Sequence, residues 1–240
     1  MKNFDMGGNS FAFKKFVIDQ NRSAFKVGTD GVLLGAYANV NGVKNILDIG
    51  TGTGVIALML AQKSAAEIVA IEPDDQSFVQ MCDNINNSPW SDRIKAIKTT
   101  FQNMRHNGKF DFIITNPPYF SDSLKNPDII KSQTRHNDTL KPADILQGVV
   151  SLLDEHGRFQ LILPYTEGNL FITEAADYGL YCCDILKIKP LPTSEIKRLI
   201  LTFAKKQIKP TEKNLTISSG KRHEFTKEYM ELTKNFYLKF

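Results

Sequence analysis

The run Asp48-Ile49-Gly50-Thr51-Gly52-Thr53-Gly54 constrains this chain more than any other part of it. It follows the short apolar run 45–49 and opens a helical stretch at 55–63, so three glycines fall in one strand-to-helix turn. Such a turn lets backbone approach a ligand closely, and the helix behind it aims unpaired amides at the same place. The alternation continues downstream. Residues 68–72 read as a strand, and 75–86 as a helix with Phe78, Val79, Cys82 and Ile85 at helical spacing. Residues 94–99, 110–115 and 159–163 read as further strands, and 142–153 as a helix with Ile145, Leu146, Val149, Val150 and Leu153 on one face. This β-α-β order predicts a doubly wound, mostly parallel α/β sheet of Rossmann-like type, with sites just outside the carboxyl ends of its strands.

The last third changes pattern. Residues 180–188 and 196–203 are β-rich and joined through Pro190-Leu191-Pro192 with no helix between them, so they must pair antiparallel. The expected architecture is therefore a seven-stranded sheet ending in an antiparallel hairpin. Residues 1–44 are too few for a domain of their own and are expected to lie across the cofactor pocket. Residues 45–205 form the catalytic domain, and 206–240 a basic segment packed on it. The polar, helix-poor stretch 121–139 follows a strand end, where long loops often carry function.

With 42% apolar residues in 240, the chain can bury a sizeable core. Cys82, Cys182 and Cys183 form no C-x-x-C pair, which points to reduced structural thiols and against a disulfide frame or a metal site. No stretch approaches the ~18 apolar residues of a membrane span, so the reading is a soluble, cytoplasmic protein with no membrane partner. The sequence leaves the oligomeric state open, with a monomer favoured. The net charge of +4 is unevenly spread: six basic and three acidic residues in 1–45, eleven and eighteen in 46–186, thirteen and five in 187–240. An acidic middle with basic ends suits a catalytic body whose periphery grips a polyanion such as RNA, or else an ordinary solvated surface. Lys205, Lys206, Lys209, Lys221 and Arg222 are the candidates for an RNA-facing set.

The spacing of the glycine loop is D-x-G-x-G-x-G, where dinucleotide folds usually carry G-x-G-x-x-G, and this favours S-adenosylmethionine over NAD. Asp48, Gly50, Gly52 and Gly54 would hold its methionine portion, with the helix amides on its carboxylate. Glu72 ends the second strand eighteen residues after Gly54, where an acid can accept from both ribose hydroxyls. A tight turn with Glu72 capping the next helix is the alternative. Many methyltransferases of this type carry an acid after the third strand to bind adenine, but here that stretch is Thr99-Thr100-Phe101-Gln102-Asn103. Thr100 or a backbone amide would substitute, and Phe101 would line the adenine.

Directly after the strand 110–115 comes Asn116-Pro117-Pro118-Tyr119. The exocyclic amine of a nucleobase is a poor nucleophile because its lone pair is delocalised into the ring. An Asn oxygen and a rigid backbone carbonyl can both accept from it and favour a pyramidal nitrogen. Prolines stiffen that carbonyl, and Tyr119 offers a face for an extruded base. Asn116, Pro117 and Tyr119 are thus the catalytic candidates, with Asn116 also bordering the cofactor and Pro118 and Phe120 touching the substrate. The remaining alternative is a proline turn with a packed tyrosine. Arg135-His136-Asn137 in the following loop is either a solvated segment or a contact to the phosphates and ribose around the base.

The segment Phe11-Ala12-Phe13-Lys14, then Phe25-Lys26-Val27-Gly28-Thr29-Asp30-Gly31-Val32-Leu33-Leu34-Gly35-Ala36, the glycine loop and the Asn-Pro-Pro-Tyr-Phe run together resemble the bacterial valine-tRNA adenine-N6 methyltransferases, of class I methyltransferase fold. The resemblance implies methyl transfer to N6 of the adenine at tRNA position 37, with tRNA as partner. It also implies that Lys26, Thr29 and Asp30 border the methionine end of the cofactor. Glutamine methyltransferases of release factors share the tetrapeptide but carry a substantial helical domain ahead of the glycine loop, and only forty-seven residues precede Asp48 here. Ribosomal RNA guanine-N2 enzymes are the nearest rival, and a non-catalytic RNA-binding protein that kept the fold is the alternative of another class.

Overall fold

The computed structural model describes residues 9–23, 26–118, 140–221 and 224–240. The chain enters through an antiparallel hairpin, β1 (Ser10–Ala12) and β2 (Val17–Asp19), and a helix, α1 (Thr29–Tyr37). The alternating body follows: β3 (Asn45–Ile49), α2 (Val55–Lys63), β4 (Glu67–Glu72), α3 (Asp75–Asn86), β5 (Ile94–Lys98) and β6 (Phe110–Thr115). Next come α4 (Pro142–Leu152), β7 (Leu153–Pro164), α5 (Tyr165–Asp177), β8 (Tyr181–Lys189), β9 (Arg198–Ala204), β10 (Thr211–Thr216) and α6 (Lys227–Thr233).

Among the described residues the main sheet has eight strands in the order β10-β8-β9-β7-β6-β3-β4-β5. Only β9 runs against the rest, pairing antiparallel with both β7 and β8. The class I methyltransferase reading of the fold holds, including the closing hairpin. One strand is added to the expected seven: β10 lies parallel to β8 at the sheet edge. Its sequence Thr-Glu-Lys-Asn-Leu-Thr buries only Leu215, so it offers no apolar run for a pattern search to find. Like other edge strands it is guarded by charge, here a Lys187–Glu212 pair at 2.5 Å.

Two apolar layers sandwich the sheet. Consecutive residues of each central strand point to opposite faces: Ile46 belongs to the layer under α1, α2 and α3, and Leu47 to the layer under α4 and α5. Because β3 and β6 are covered on both faces, apolar residues follow one another along each instead of alternating with polar ones, Ile46-Leu47 in β3 and Phe112-Ile113-Ile114 in β6. Helix α1 was not legible by periodicity because residues 31–36 are buried all round, leaving no apolar stripe. The N-terminal hairpin and the C-terminal segment meet on the first layer. Phe13 bridges Tyr237, the Lys14 amide donates to the Phe236 carbonyl at 2.8 Å, and Phe13, Tyr229, Tyr237 and Phe240 form an aromatic cluster.

Candidate active site

Three neighbouring parallel strands stop level with one another. Ile49 of β3 is in register with Ile71 of β4 and Thr115 of β6, and the Thr115 hydroxyl donates to the Ile49 carbonyl at 2.9 Å. The loops that leave these ends carry the glycines, Glu72 and Asn116, so register alone gathers residues that are up to 66 positions apart.

The glycine loop follows Ile49 with φ of +63°, +58° and +85° at Gly50, Gly52 and Gly54. Side chains rarely adopt these values. A Cβ at Gly50 or Gly52 would meet nothing within 4 Å, so open space faces the loop. Gly54 is the N-cap of α2 and supplies no side-chain cap, which leaves the first amides of that helix available to an anion. Within the loop, the Thr51 amide donates to the Ile71 carbonyl at 3.1 Å and the Gly54 amide to the Thr51 carbonyl at 3.0 Å.

Two acids brace this turn from below. Asp48 is fully buried, takes the Thr51 hydroxyl on one oxygen at 2.5 Å, and leaves the other without a partner among the described residues. Desolvation pushes its carboxyl up to about 7, against the opposing hydrogen bond from Thr51. Glu72, 7% exposed, accepts the Gly52 amide at 2.9 Å on one oxygen and the Asp74 amide at 3.0 Å on the other. Burial raises its pKa too, and those two amides hold it down. Each carboxylate oxygen can accept twice, so Glu72 retains acceptor capacity. The N-cap of α3 is Asp74, bonded to the Ser77 amide at 2.8 Å, and not Glu72.

The N-terminal segment is fastened to this end of the sheet by side chains that pattern reading did not single out. Asn84, 2% exposed, donates to the carbonyls of Thr53 and Asp19 and accepts the Asp19 amide, all at 2.9 Å. Gln80 accepts the Arg22 amide at 3.2 Å, and Gln20 accepts the Val27 amide at 2.8 Å. A polar residue buried on the apolar side of a predicted helix was the available signal, since such a side chain must find partners.

Lys26 and Thr29 are exposed at the start of α1. Asp30, in its first turn, pairs with Arg198 of β9 at 2.9 Å. A Cβ on Gly31 would come 3.8 Å from both the Asn116 amide nitrogen and Val55 Cγ1, which sets α1 against the start of the tetrapeptide. Asn116 is half-buried, Pro117 buried and Pro118 exposed. Phe101 sits in the second apolar layer against Gly148 of α4, 7% exposed. Thr100 accepts the Asn103 amide at 3.2 Å. Tyr119, Phe120, Arg135, His136 and Arg222 lie outside the described residues. The structure thus gathers the glycine loop, Asp48, Glu72, Gly31 and Asn116 on one edge, with open space over the loop for a ligand bearing an anionic end and ribose-like hydroxyls.

Topology divides the basic residues. Because β9 runs backwards, Lys205, Lys206 and Lys209 fall at the opposite edge, where Lys205 donates to the Leu153 carbonyl at 3.0 Å. Lys221 follows β10 and lies at the edge of Asn116.

The family model for the methyltransferase small domain matches residues 25–159. A tRNA1(Val) (adenine(37)-N6)-methyltransferase of Trichodesmium erythraeum is 42% identical over 240 residues, 98% of this chain and 100% of the relative. One of the same name from Bacteroides thetaiotaomicron is 43% identical over 235 residues, 97% of this chain and 99% of the relative. Among solved structures, a predicted O-methyltransferase from Agrobacterium tumefaciens superposes with a TM-score of 0.66 at 19% identity, over 86% of this chain and 96% of that one, a likeness of fold. With its strand-end site and near full-length identity to such relatives, the chain belongs to the methyltransferase small domain family and, within it, to the tRNA1(Val) (adenine(37)-N6)-methyltransferases.

Proposed function

We propose that the chain transfers a methyl group from S-adenosylmethionine to N6 of adenine 37 in a valine tRNA. The observation that carries this reading is the register of Ile49 with Thr115, which sets the glycine loop beside Asn116. A donor held on one loop is then next to an acceptor held on the other.

The residues fit the cofactor. The open backbone at Gly50 and Gly52 and the uncapped start of α2 suit its methionine end, and the spare acceptor positions of Glu72 suit its ribose. Asp48 keeps the turn in shape through Thr51, and Lys26, Thr29 and Asp30 border the pocket from α1. When bound, S-adenosylmethionine supplies an electrophilic methyl group on a sulfonium sulfur. The protein's part is alignment. Asn116 Oδ1 and the Pro117 carbonyl accept from the adenine amine, turning its lone pair out of the ring plane. Tyr119 and Phe120 offer rings to the extruded base, Pro118 adds an apolar contact, and Arg135 and His136 bind the flanking phosphate or ribose. No strong general base is required, since the amine becomes acidic on alkylation and gives its proton to water.

Methyl transfer from labelled S-adenosylmethionine to tRNA and to ribosomal RNA tests the reading, with Asn116→Ala as control. Transfer to adenine of tRNA is expected, and the variant should lose about 10²- to 10³-fold in kcat, as for removal of one preorganised polar contact. Transfer confined to ribosomal RNA, or undiminished in Asn116→Ala, would contradict it.

A further inference from the structure

The edge that bears Asn116 continues across the sheet past the catalytic loops. The next strand, β7, pairs Leu161 with Thr115, and runs three residues further to Pro164. At a strand rise of about 3.3 Å this places Pro164 roughly 10 Å beyond the level of Thr115 and one strand spacing aside, with Tyr165 next in the chain at the start of α5. There the start of α5, the end of β8 and the start of β9 border an open hollow of about 410 Å³ lined by Tyr165, Lys189, Glu195 and Ile196. The backbone beneath it is fixed: the Tyr165 amide donates to the Lys197 carbonyl at 3.2 Å and the Lys197 amide to the Ile188 carbonyl at 2.9 Å.

The lining has mixed chemistry. Tyr165 is 43% exposed, a large ring left in water beside a hollow. The Lys189 ammonium has no hydrogen-bond or ion-pair partner among the described residues. The Glu195 carboxylate is almost fully exposed and only 4.0 Å from Lys197. A site for a free anion would not place a carboxylate in its wall, and an apolar peptide would find two charges there. A nucleotide meets all of them, with a base face for the tyrosine, a phosphate for the lysine and base-edge donors for the carboxylate. Another cavity, about 440 Å³ beside Lys14, Lys15 and Lys63, lies at the opposite end of α2, and two of those three lysines, Lys14 and Lys63, are engaged by backbone carbonyls.

Resting on the tRNA reading above, we infer that this cavity holds a second nucleotide of the substrate strand, neighbouring the methylated adenine. Its base stacks on Tyr165 and Lys189 neutralises a phosphate. The pocket then acts on RNA affinity and register, and leaves cofactor binding alone.

The test uses the full chain and an unmodified valine-tRNA transcript. Tyr165→Ala should raise KM for the transcript about 5- to 150-fold, the range of one lost base-aromatic stack, and Tyr165→Phe should restore it. Lys189→Ala should lower the slope of log affinity against log salt by about 0.7 to 0.9, one phosphate contact. In both alanine variants the dissociation constant for S-adenosylmethionine and the melting temperature should match the wild type. If the wild type methylates tRNA while Tyr165→Ala and Lys189→Ala keep its KM and salt slope, the pocket assignment is overturned and the methyltransferase reading stands. If the wild type methylates no tRNA adenine, both fall together.

Discussion

Replacing Asn84 by alanine should loosen the glycine loop from a distance, and the size of the effect can be worked out. The side chain satisfies three backbone groups: the Thr53 carbonyl inside the cofactor loop, and the Asp19 amide and carbonyl at the end of β2. A buried polar group left unpaired costs about 1–3 kcal/mol. Thr53 and Asn84 are 4% and 2% exposed, so the Thr53 carbonyl bears that cost in full. Asp19 is exposed and its backbone recovers water in part. The sum is about 2–4 kcal/mol, which at this chain length corresponds to a fall in Tm of roughly 4–16 °C. Asn84→Asp keeps the acceptor, loses both donors and sets a carboxylate against two carbonyl oxygens, so it should be no milder. Thermal melts with and without S-adenosylmethionine, together with calorimetric titration, measure both parts. Cofactor affinity should drop along with stability, since Thr53 lies between two of the loop glycines. A Tm within 1 °C of wild type and an unchanged cofactor Kd would refute the reasoning.

Asp48 gives a pH signature. Its carboxyl titrates near 7 in the fold, far above an unfolded aspartate, so the folded chain holds an extra proton between pH ~4 and ~7 and stability contributed by that group falls as pH rises through this window, by up to about 4 kcal/mol. Asp48→Asn should therefore flatten the Tm profile between pH 5 and 8 and melt higher than wild type at pH 8; parallel profiles would argue against a buried, proton-holding acid. Gly148→Ala would put a Cβ 2.4 Å from Phe101 Cε1 and should cost about 1–3 kcal/mol in urea denaturation, with Phe101→Leu restoring most of it; wild-type stability would mean the α4 contact is looser than described. Tyr37→Phe removes a 2.6 Å hydrogen bond to Asp184 that ties α1 to β8 and should cost about 1–2 kcal/mol, checked by the same denaturation curves, where no change would show the tie to be idle.

What the residues disclosed without a structure was local. The glycine spacing, the apolar runs of β3, β4 and β6, and the tetrapeptide after a strand are each written within a few consecutive positions, because backbone conformation and face periodicity act at that range. The antiparallel close of the sheet was equally legible, since two strands joined without a crossover have only one way to pair. Elements that own no such pattern escaped. Helix α1 is buried all round, and β10 is a polar edge whose existence depends on β8 being there to pair with.

Only the tertiary structure decided which distant groups share the site, since that depends on strand register and on single buried side chains. Register set Asn116 beside the glycine loop, and Asn84 joined that loop to the N-terminal hairpin. The reversed direction of β9 decided the fate of the basic residues. In sequence Lys205 and Lys189 belong to one positive tail, whereas in the fold a single antiparallel strand carries Lys205 to the far edge and leaves Lys189 on the edge of Asn116. Charge along a chain is additive, but where that charge acts is fixed by topology.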